Sequence, residues 1–224
     1  MITVYTITWN ERFLLPYFFD HYNFADKIIV YDNGSTDDTQ DLVKSLGGVL
    51  RHYQTNGQDN QVMMELKNNC WKGDKSDWVI VCDVDEFLHG TEILKDYSGK
   101  IVFHPQGYQM VGEGQDLKEI RKGFKEDAFS KMVCFSPKID EINFNHGCHK
   151  AEPKGGTIVR AMNLLHYNFL SEEYFVNRRK RYIPRMSRSD IAHKWGGEYL
   201  EPEEYQRSMY RAYLKIAVDL GEIL

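Results

Sequence analysis

Blocks of apolar and polar residues alternate along the first 90 residues of the chain. Short runs rich in β-branched and aromatic residues predict strands, and apolar residues at helical spacing predict amphipathic helices. The predicted strands cover 2–7, 27–31, 49–53 and 78–82, and the predicted helices cover 13–22, 39–46 and 61–71. Strands that alternate with helices in this way indicate a parallel sheet wrapped by helices.

The alternation weakens after residue 90. Strand-like pieces at 100–103, 107–111, 131–135 and 157–165 predict a mixed extension of the sheet. Helices are predicted at 172–185 and 203–220, the second with one apolar stripe formed by Tyr205, Met209, Ala212, Tyr213, Ile216 and Leu220. We expect an α/β catalytic domain over 1–195, built on a central, mostly parallel mixed sheet flanked by helices. Residues 196–224 are expected to form a helical appendage packed on this domain or extending from it.

Length and charge narrow the possible functions. The 224 residues and 26.3 kDa suit one compact domain, and 28 Lys and Arg against 33 Asp and Glu give a net charge of −5. Such a chain has no global basic field to hold nucleic acid, so we expect no nucleic-acid partner. It lacks both a secretory signal and an apolar run of roughly 18 to 20 residues, and the four cysteines are scattered. These features predict a cytoplasmic protein with reduced thiols.

Polar clusters follow three of the predicted strands, at residues 8–11, 32–37 and 83–86. Ligands of open α/β sheets bind at the carboxyl ends of the strands. We therefore expect the three clusters to converge on one binding site.

The cluster after the fourth strand has the ligand types of a metal site. Asp83 and Asp85 point to the same side of an extended chain, and their carboxylates suit Mg²⁺ or Mn²⁺. With Glu86 they form a concentration of like charge that needs something positive to neutralise it. His166 ends another apolar strand and is a candidate further ligand, although a structural role for it is equally compatible with the spacing.

Two further groups of residues remain ambiguous. The cluster His146-x-Cys148-His149 lacks a matching second half for zinc, so a general base, a substrate contact or a solvated loop remain as alternatives. The basic run over 178–188 cannot direct every charge at one phosphate, because consecutive residues point around a helix. Most of these arginines are expected to be solvated, with one or two binding a diphosphate or an acidic acceptor. Contact between the Arg178–Arg188 region and an anionic membrane surface is a third alternative.

Asp32 follows the second strand without any glycine-rich phosphate motif nearby. This absence disfavours dinucleotide redox enzymes and P-loop hydrolases. A carboxylate at such a position can accept a hydrogen bond from a base imide or a ribose hydroxyl. The alternative is an Asp- and Asn-rich turn that only caps the next helix.

Together these motifs resemble the family 2-like glycosyltransferases of the GT-A fold, in the compact branch whose metal motif reads D-x-D-E-F. The matching pieces are Asn10-Glu11, 14–22, Val30 to Asp37, Trp78 to Leu88, Ser130 to Val133, His166-Tyr167 and Ser171 to Glu173. The resemblance implies transfer of a sugar from a nucleotide-diphosphate sugar, commonly a uridine diphosphate (UDP) sugar, to a hydroxyl acceptor with Mn²⁺ or Mg²⁺. The acceptor would be a glycan, a lipid-linked molecule or another hydroxyl compound.

The resemblance also implies roles for individual residues. Asp32 would contact uracil, Asp83 and Asp85 would address ribose and metal, and His166 would be the third protein ligand. The nucleotide-sugar pocket would further include Thr8, Asn10, Glu11, Lys67 and Val84.

The catalytic base departs from the family pattern. The expected Glu-Asp pair is missing after the metal motif, and Glu126-Asp127 lies in a polar stretch without strand context. His149, Glu113 and Asp140 are the candidate bases, and an inverting displacement is a hypothesis taken from the family.

Two other classes of protein remain as alternatives. A haloacid dehalogenase-like phosphatase would use Asp83 and Asp85, but Phe87 stands where that chemistry needs a small hydroxyl residue. A non-catalytic nucleotide-sugar-binding module would keep the aromatic and Asp32 pocket without needing both aspartates.

Overall fold

The computed structural model of the chain describes residues 1–114 and 116–223, so Leu224, the end of the predicted appendage, lies outside the described residues. The strands are β1 (Ile2–Thr8), β2 (Lys27–Asp32), β3 (Val49–His52), β4 (Trp78–Val81), β5 (Glu86–His89), β6 (Ile101–Phe103), β7 (Gln106–Val111), β8 (Lys122–Lys125), β9 (Cys134–Phe135), β10 (Thr157–Val159), β11 (Asn163–Phe169) and β12 (Val218–Asp219). The helices are α1 (Leu15–His21), α2 (Thr39–Ser45), α3 (Asn60–Asn69), α4 (Glu172–Tyr182), α5 (Arg188–His193) and α6 (Glu203–Ile216).

The main sheet has the strand order β10-β6-β9-β4-β1-β2-β3. β1 runs parallel to β2 and β4, and β2 runs parallel to β3, while β9 is antiparallel to its two neighbours. The prediction of a central, mostly parallel mixed sheet is thus confirmed. The carboxyl ends of β1, β2 and β4 lie at one edge of this sheet.

Period-two alternation in β1 explains why helices cover both faces of the main sheet. Val4 packs in a core cluster with Leu15 and Phe18 of α1. Tyr5, one residue later, packs in a second cluster with Met63 beside it from α3. Successive side chains of a strand point to opposite faces, so side chains on both faces of β1 are buried, including those of Thr3 and Thr6.

The predicted mixed extension is confirmed for β6, β9 and β10, which join the main sheet, whereas β7 and β11 lie in a second sheet with the order β12-β8-β7-β11-β5. After β4 the chain turns, with the Glu86 amide donating to the Asp83 carbonyl oxygen at 3.0 Å, and it continues as β5. β5 pairs with β11 in antiparallel register, which places His166 opposite Glu86. The motif after β4 therefore joins the two sheets.

The C-terminal helix is shorter and rotated relative to its prediction. α6 ends at Ile216, and Leu220 reaches the core from beyond the helix. The buried positions of α6 are Gln206 and Tyr210, whereas Tyr205 is 53% exposed. The predicted stripe is wrong at Tyr205, Ala212 and Ile216, which are exposed, whereas Met209 and Tyr213 do pack against the core cluster that contains Tyr210.

The predicted strand 157–165 is broken into β10 and β11. Met162 has a φ of 74°, in the left-handed region that a strand does not adopt. The predicted domain boundary at residue 195 stays a prediction. Nowhere in the described ranges is a helix both long and apolar enough to cross a bilayer.

Helix α1 covers the free side of β5. The Tyr22 hydroxyl accepts from the Leu88 amide at 2.9 Å and donates to the Glu86 carbonyl oxygen at 3.0 Å. His21 Nε2 lies 3.0 Å from the Leu88 carbonyl oxygen, so its proton is on this nitrogen. These side chains supply hydrogen bonds that a further strand would otherwise make.

The buried His21 predicts a pH dependence of stability. Desolvation, with the neighbouring His89, lowers its pKa to about 4 from an ordinary value of 6.5. The unfolded chain therefore binds a proton between pH 6.5 and 4 that the folded chain excludes, and stability falls as the pH falls through that window. We expect this site to contribute a loss of about 2 kcal/mol between pH 7 and pH 5. Urea unfolding at both pH values measures it, and a His21→Gln variant with an equally steep pH dependence would contradict the assignment.

Candidate active site

A cavity of about 830 Å³ opens where the carboxyl ends of β1, β2 and β4 meet. Its lining includes the sequence-predicted residues Thr8, Glu11, Lys67, Asp83, Val84, Asp85, His149 and His166. Its size is typical of a small-molecule site. The structure thus brings the three polar clusters together, although not every member of them lines the cavity.

Asn10 and Asp32 lie outside the cavity wall. Asn10 joins two loops. Its side-chain Oδ1 accepts from the Thr36 backbone amide at 2.7 Å, and its backbone amide donates to Ser35 Oγ at 2.9 Å. Asp32 is completely buried, and its Oδ2 accepts from the Ser35 amide and from Gln40 Nε2. Its Oδ1 has no partner among the described residues. A contact between Asp32 and uracil stays a prediction and requires the loop above it to open.

Two buried lysines neutralise Asp83. Lys67 Nζ lies 2.5 Å from its Oδ1, and Lys131 Nζ lies 3.4 Å from its Oδ2 and 2.5 Å from Glu86 Oε1. Burial alone would raise the pKa of Asp83, but the charges of Lys67 and Lys131 outweigh this effect and lower it. The positive charge that the acidic cluster requires is therefore supplied in part by the protein itself.

Arg178 of α4 connects the first and third polar clusters. Its guanidinium donates to Asp85 Oδ2 and, at 2.9 Å, to Glu11 Oε1, and the Tyr182 hydroxyl donates to the same Glu11 oxygen at 2.8 Å. Burial favours the neutral carboxyl of Asp85, but the charge of Arg178 outweighs it and holds its pKa well below the usual range. Asp85 is therefore ionised at every physiological pH.

The expectation that most of the basic run is solvated is wrong at its first two residues. Arg178 and Arg179 are 8% and 6% exposed, and both line the cavity. Farther along, Arg185 stacks over the Trp9 ring at 3.9 Å and donates to the Asn33 carbonyl oxygen at 3.2 Å. These three side chains face the cavity, which leaves them unsuited to a membrane surface.

His166 and Asp85 fit a divalent cation. His166 Nε2 lies 3.4 Å from Asp85 Oδ2, and its Nδ1 lies 2.7 Å from Gln109 Oε1. The amide oxygen of Gln109 can only accept, so Nδ1 carries the proton and Nε2 keeps the lone pair that a metal binds. Nowhere in 1–114 or 116–223 do three His, Cys, Asp or Glu side chains form a ready metal cluster. The fit is to a cation held by two protein ligands, with substrate phosphates and water completing its shell.

The structure brings only one of the three candidate bases to the cavity. Asp140 pairs with Lys100 at the surface, with 2.7 Å between Oδ1 and Nζ, and Glu113 is exposed away from the cavity. His149 Nδ1 lies 2.8 Å from the Ala128 carbonyl oxygen, so Nδ1 is the donor and Nε2 is a free acceptor. Desolvation and then Lys131 lower the pKa of His149. His149 is therefore a neutral base at pH 7.

Several cavity residues were not selected from the sequence as site residues. They include Gln109, Lys131, Tyr182 and Tyr199. Lys131 stands in a piece that matched the family, and its position before an apolar run was the available signal. The others carry no local signal, because Gln109 comes from β7 of the second sheet, Tyr182 from α4 and Tyr199 from the segment after α5.

Comparisons with known proteins give limited likeness. No protein-family model and no curated protein sequence matches the chain. Among solved structures, glucosyl-3-phosphoglycerate synthase from Mycobacterium tuberculosis with Mn²⁺, UDP and glucosyl-3-phosphoglycerate is 18% identical with a TM-score of 0.36. The match covers 48% of this chain and 44% of that one. TarS 1–349 from S. aureus is 13% identical with a TM-score of 0.44, over 81% of this chain and 64% of that one.

The matched region therefore spans less than two thirds of either solved chain. At these identities and TM-scores the likeness carries no argument about function. What the cavity binds has to be inferred from the residues of this chain.

Proposed function

We propose that the protein is a glycosyltransferase. More specifically, it transfers a sugar from a nucleotide-diphosphate sugar, with UDP as the expected nucleotide, to a hydroxyl acceptor. The observation that carries this proposal is the Asp85–His166 pair, 3.4 Å apart at the strand-end edge of an α/β sheet. This pair suits a divalent cation, Mn²⁺ or Mg²⁺, and the surrounding cavity has room for a nucleotide sugar.

The charges around the pair support a diphosphate ligand. Lys67, Lys131 and Arg178 line the same cavity, each less than 9% exposed. In the free protein they pair with carboxylates, which keeps these buried charges neutralised. A cation bound at Asp85 and His166 would neutralise the departing diphosphate as a Lewis acid.

Trp9 and Arg185 form a flat surface at the β1 side of the cavity. Tyr182 packs beside the Trp9 ring with 5.8 Å between centroids, and the half-buried indole still lines the cavity, where a base or a sugar ring can contact it. Thr8 and Glu11 lie beside it at the end of β1, which is where the resemblance puts the nucleotide. Arg178 holds Glu11 and Asp85 in fixed positions and so orients both sides of the proposed donor site.

His149 is the proposed general base. Its Nε2 is free to accept the proton of an acceptor hydroxyl as the oxygen attacks the anomeric carbon. Attack from the face opposite the departing diphosphate inverts the anomeric configuration. NMR of the product measures this outcome, and a retained configuration would contradict the inverting mechanism.

Thermal unfolding with UDP tests the function directly. We expect UDP with Mn²⁺ to raise the melting temperature more than either alone, because a ligand selective for the folded state stabilises it. The extra stabilisation should disappear in Asp85→Ala and persist in Asp140→Ala, a control on the surface. If UDP with Mn²⁺ raises the melting temperature of the Asp85 variant as much as that of the wild type, the metal assignment is wrong.

The donor sugar is identified by a separate screen, in which a panel of nucleotide sugars is tested for metal-dependent hydrolysis.

Neither alternative class gains support from the site. To act as a phosphatase nucleophile, Asp83 would have to break its ion pairs with Lys67 and Lys131. Phe87, at the position where that chemistry needs a small hydroxyl residue, is 5% exposed and packs in the core. A protein that only binds a nucleotide sugar would not need a general base such as His149 in the cavity that contains Asp85 and His166. The cytoplasmic location and the division at residue 195 remain proposals.

A further inference from the structure

Arg179 is a buried charge with no carboxylate paired to it among the described residues. It is 6% exposed and lines the cavity from α4. Within the described residues, its Nε and Nη1 find no hydrogen-bond partner. Its neighbour Arg178 is equally buried but pairs with two carboxylates. The contrast shows that α4 presents one satisfied and one unsatisfied guanidinium to the same cavity.

An unsatisfied guanidinium is costly to bury. Burial lowers the pKa of Arg179, but arginine stays protonated in proteins. A buried charge is normally paired, because removing it from water is unfavourable. An anion that enters the cavity beside Arg179 would supply the missing partner, and the planar guanidinium matches a carboxylate or a phosphate.

The surroundings of Arg179 differ from those of the proposed donor site. Its guanidinium carbon lies 3.7 Å from the Phe175 ring centroid and 5.5 Å from that of Tyr199. Tyr213 of α6 also contributes to its environment, and Glu198 attracts it without neutralising it through an ion pair. These neighbours come from α4 and the elements after it, whereas Thr8, Glu11, Asp83 and Asp85 of the proposed donor site lie at or just after the ends of strands of the main sheet.

We propose that Arg179 binds a carboxylate or phosphate group of the acceptor, so that the acceptor is an anionic molecule. Identifying the bound anion as the acceptor rests on the proposed function. The presence of an anion site at Arg179 does not. The aromatic rings of Tyr199 and Tyr213, which also line the cavity, form a wall beside the anion that suits a sugar or another ring-bearing acid.

Titration with inorganic phosphate tests the site on the full chain. The protein is first saturated with UDP and Mg²⁺, which fills the proposed donor site, and phosphate binding is then measured by calorimetry. We expect the wild type to bind phosphate, and Arg179→Gln to bind it at least tenfold more weakly. Lys180→Gln is the matched control, because it removes the same charge from the next residue, which pairs with Glu203 at the surface. Its phosphate affinity should equal that of the wild type.

Three results would overturn the proposal: no phosphate binding by the wild type, equal affinity in Arg179→Gln, or displacement of UDP by phosphate. The last would place the anion in the donor site. If UDP does not bind at all, the proposed function fails, and phosphate titration without UDP still decides the anion site.

Folding of the variants is controlled separately. Arg179→Met removes the unpaired charge and should melt no lower than the wild type, while it loses phosphate binding as Arg179→Gln does. A folded Arg179→Met protein that binds phosphate with wild-type affinity would overturn the assignment.

Discussion

Replacing Arg178 with methionine is expected to lower the free energy of unfolding by about 3–5 kcal/mol. Arg178 is 8% exposed and pairs with Asp85 and Glu11, which are 5% and 2% exposed. Methionine fills much of the same volume but leaves two carboxylates buried without their main cation. The loss should appear in urea unfolding and as a fall in melting temperature of roughly 10 °C.

Two further variants separate charge from packing. Lys180→Met, on the same helix but 51% exposed at its side chain, should change stability little. The double variant Arg178→Met with Asp85→Asn should recover part of the lost free energy of unfolding. The neutral amide of asparagine removes one of the two carboxylate charges that lack Arg178 as a partner. If Arg178→Met alone is as stable as the wild type, the ion-pair network does not hold α4 against the strand ends.

Replacing His149 with alanine is expected to reduce the rate of transfer about 10²–10⁴-fold while UDP affinity stays unchanged. The reason is that Nε2 of His149 is the free acceptor that faces the cavity, while Nδ1 is bound to the Ala128 carbonyl oxygen. The measurement is kcat with the donor that the nucleotide-sugar screen identifies. His52→Gln, on the exposed β3, is the control and should keep the wild-type rate.

A pH profile makes the role of His149 distinguishable from simple damage. A base acts only when it is deprotonated, so the wild-type rate should fall as the pH drops through the lowered pKa of His149. That acidic limb should be absent from the residual activity of His149→Ala. A variant that retains the limb, or one that loses UDP binding, would contradict the assignment.

The main sheet could be predicted from sequence because its strands carry local signals. β1 is a run of β-branched and aromatic residues, β4 is an unbroken apolar run, and the polar residues that follow them mark the ligand edge. The Asp85–His166 pair was also within reach, since both residues follow or end apolar strands. The pattern does not predict that β5 belongs to a second sheet. The reason is that Glu86 to His89 resembles the end of a motif and not a strand.

The arginines of α4 show the limit of local patterns. Four consecutive basic residues look alike in sequence, yet Arg178 and Arg179 are buried while Lys180 is half exposed. Which of them turns inward depends on the contacts of α4 with α6 and with the strand ends, which are distant in sequence. The burial of Asp32 has a more local cause, since Gln40 at the start of α2 donates a hydrogen bond to its carboxylate.

The contacts of α1 with β5 bear on self-association. β5 is the outermost strand of the second sheet, and an unprotected outer strand is a template on which another chain can add. The Tyr22 hydroxyl and the His21 ring occupy three backbone groups of β5 at Glu86 and Leu88. A chain from a second molecule cannot form those hydrogen bonds while α1 is in place. The same helix that supports the cation-binding segment thus protects the protein against edge-to-edge aggregation.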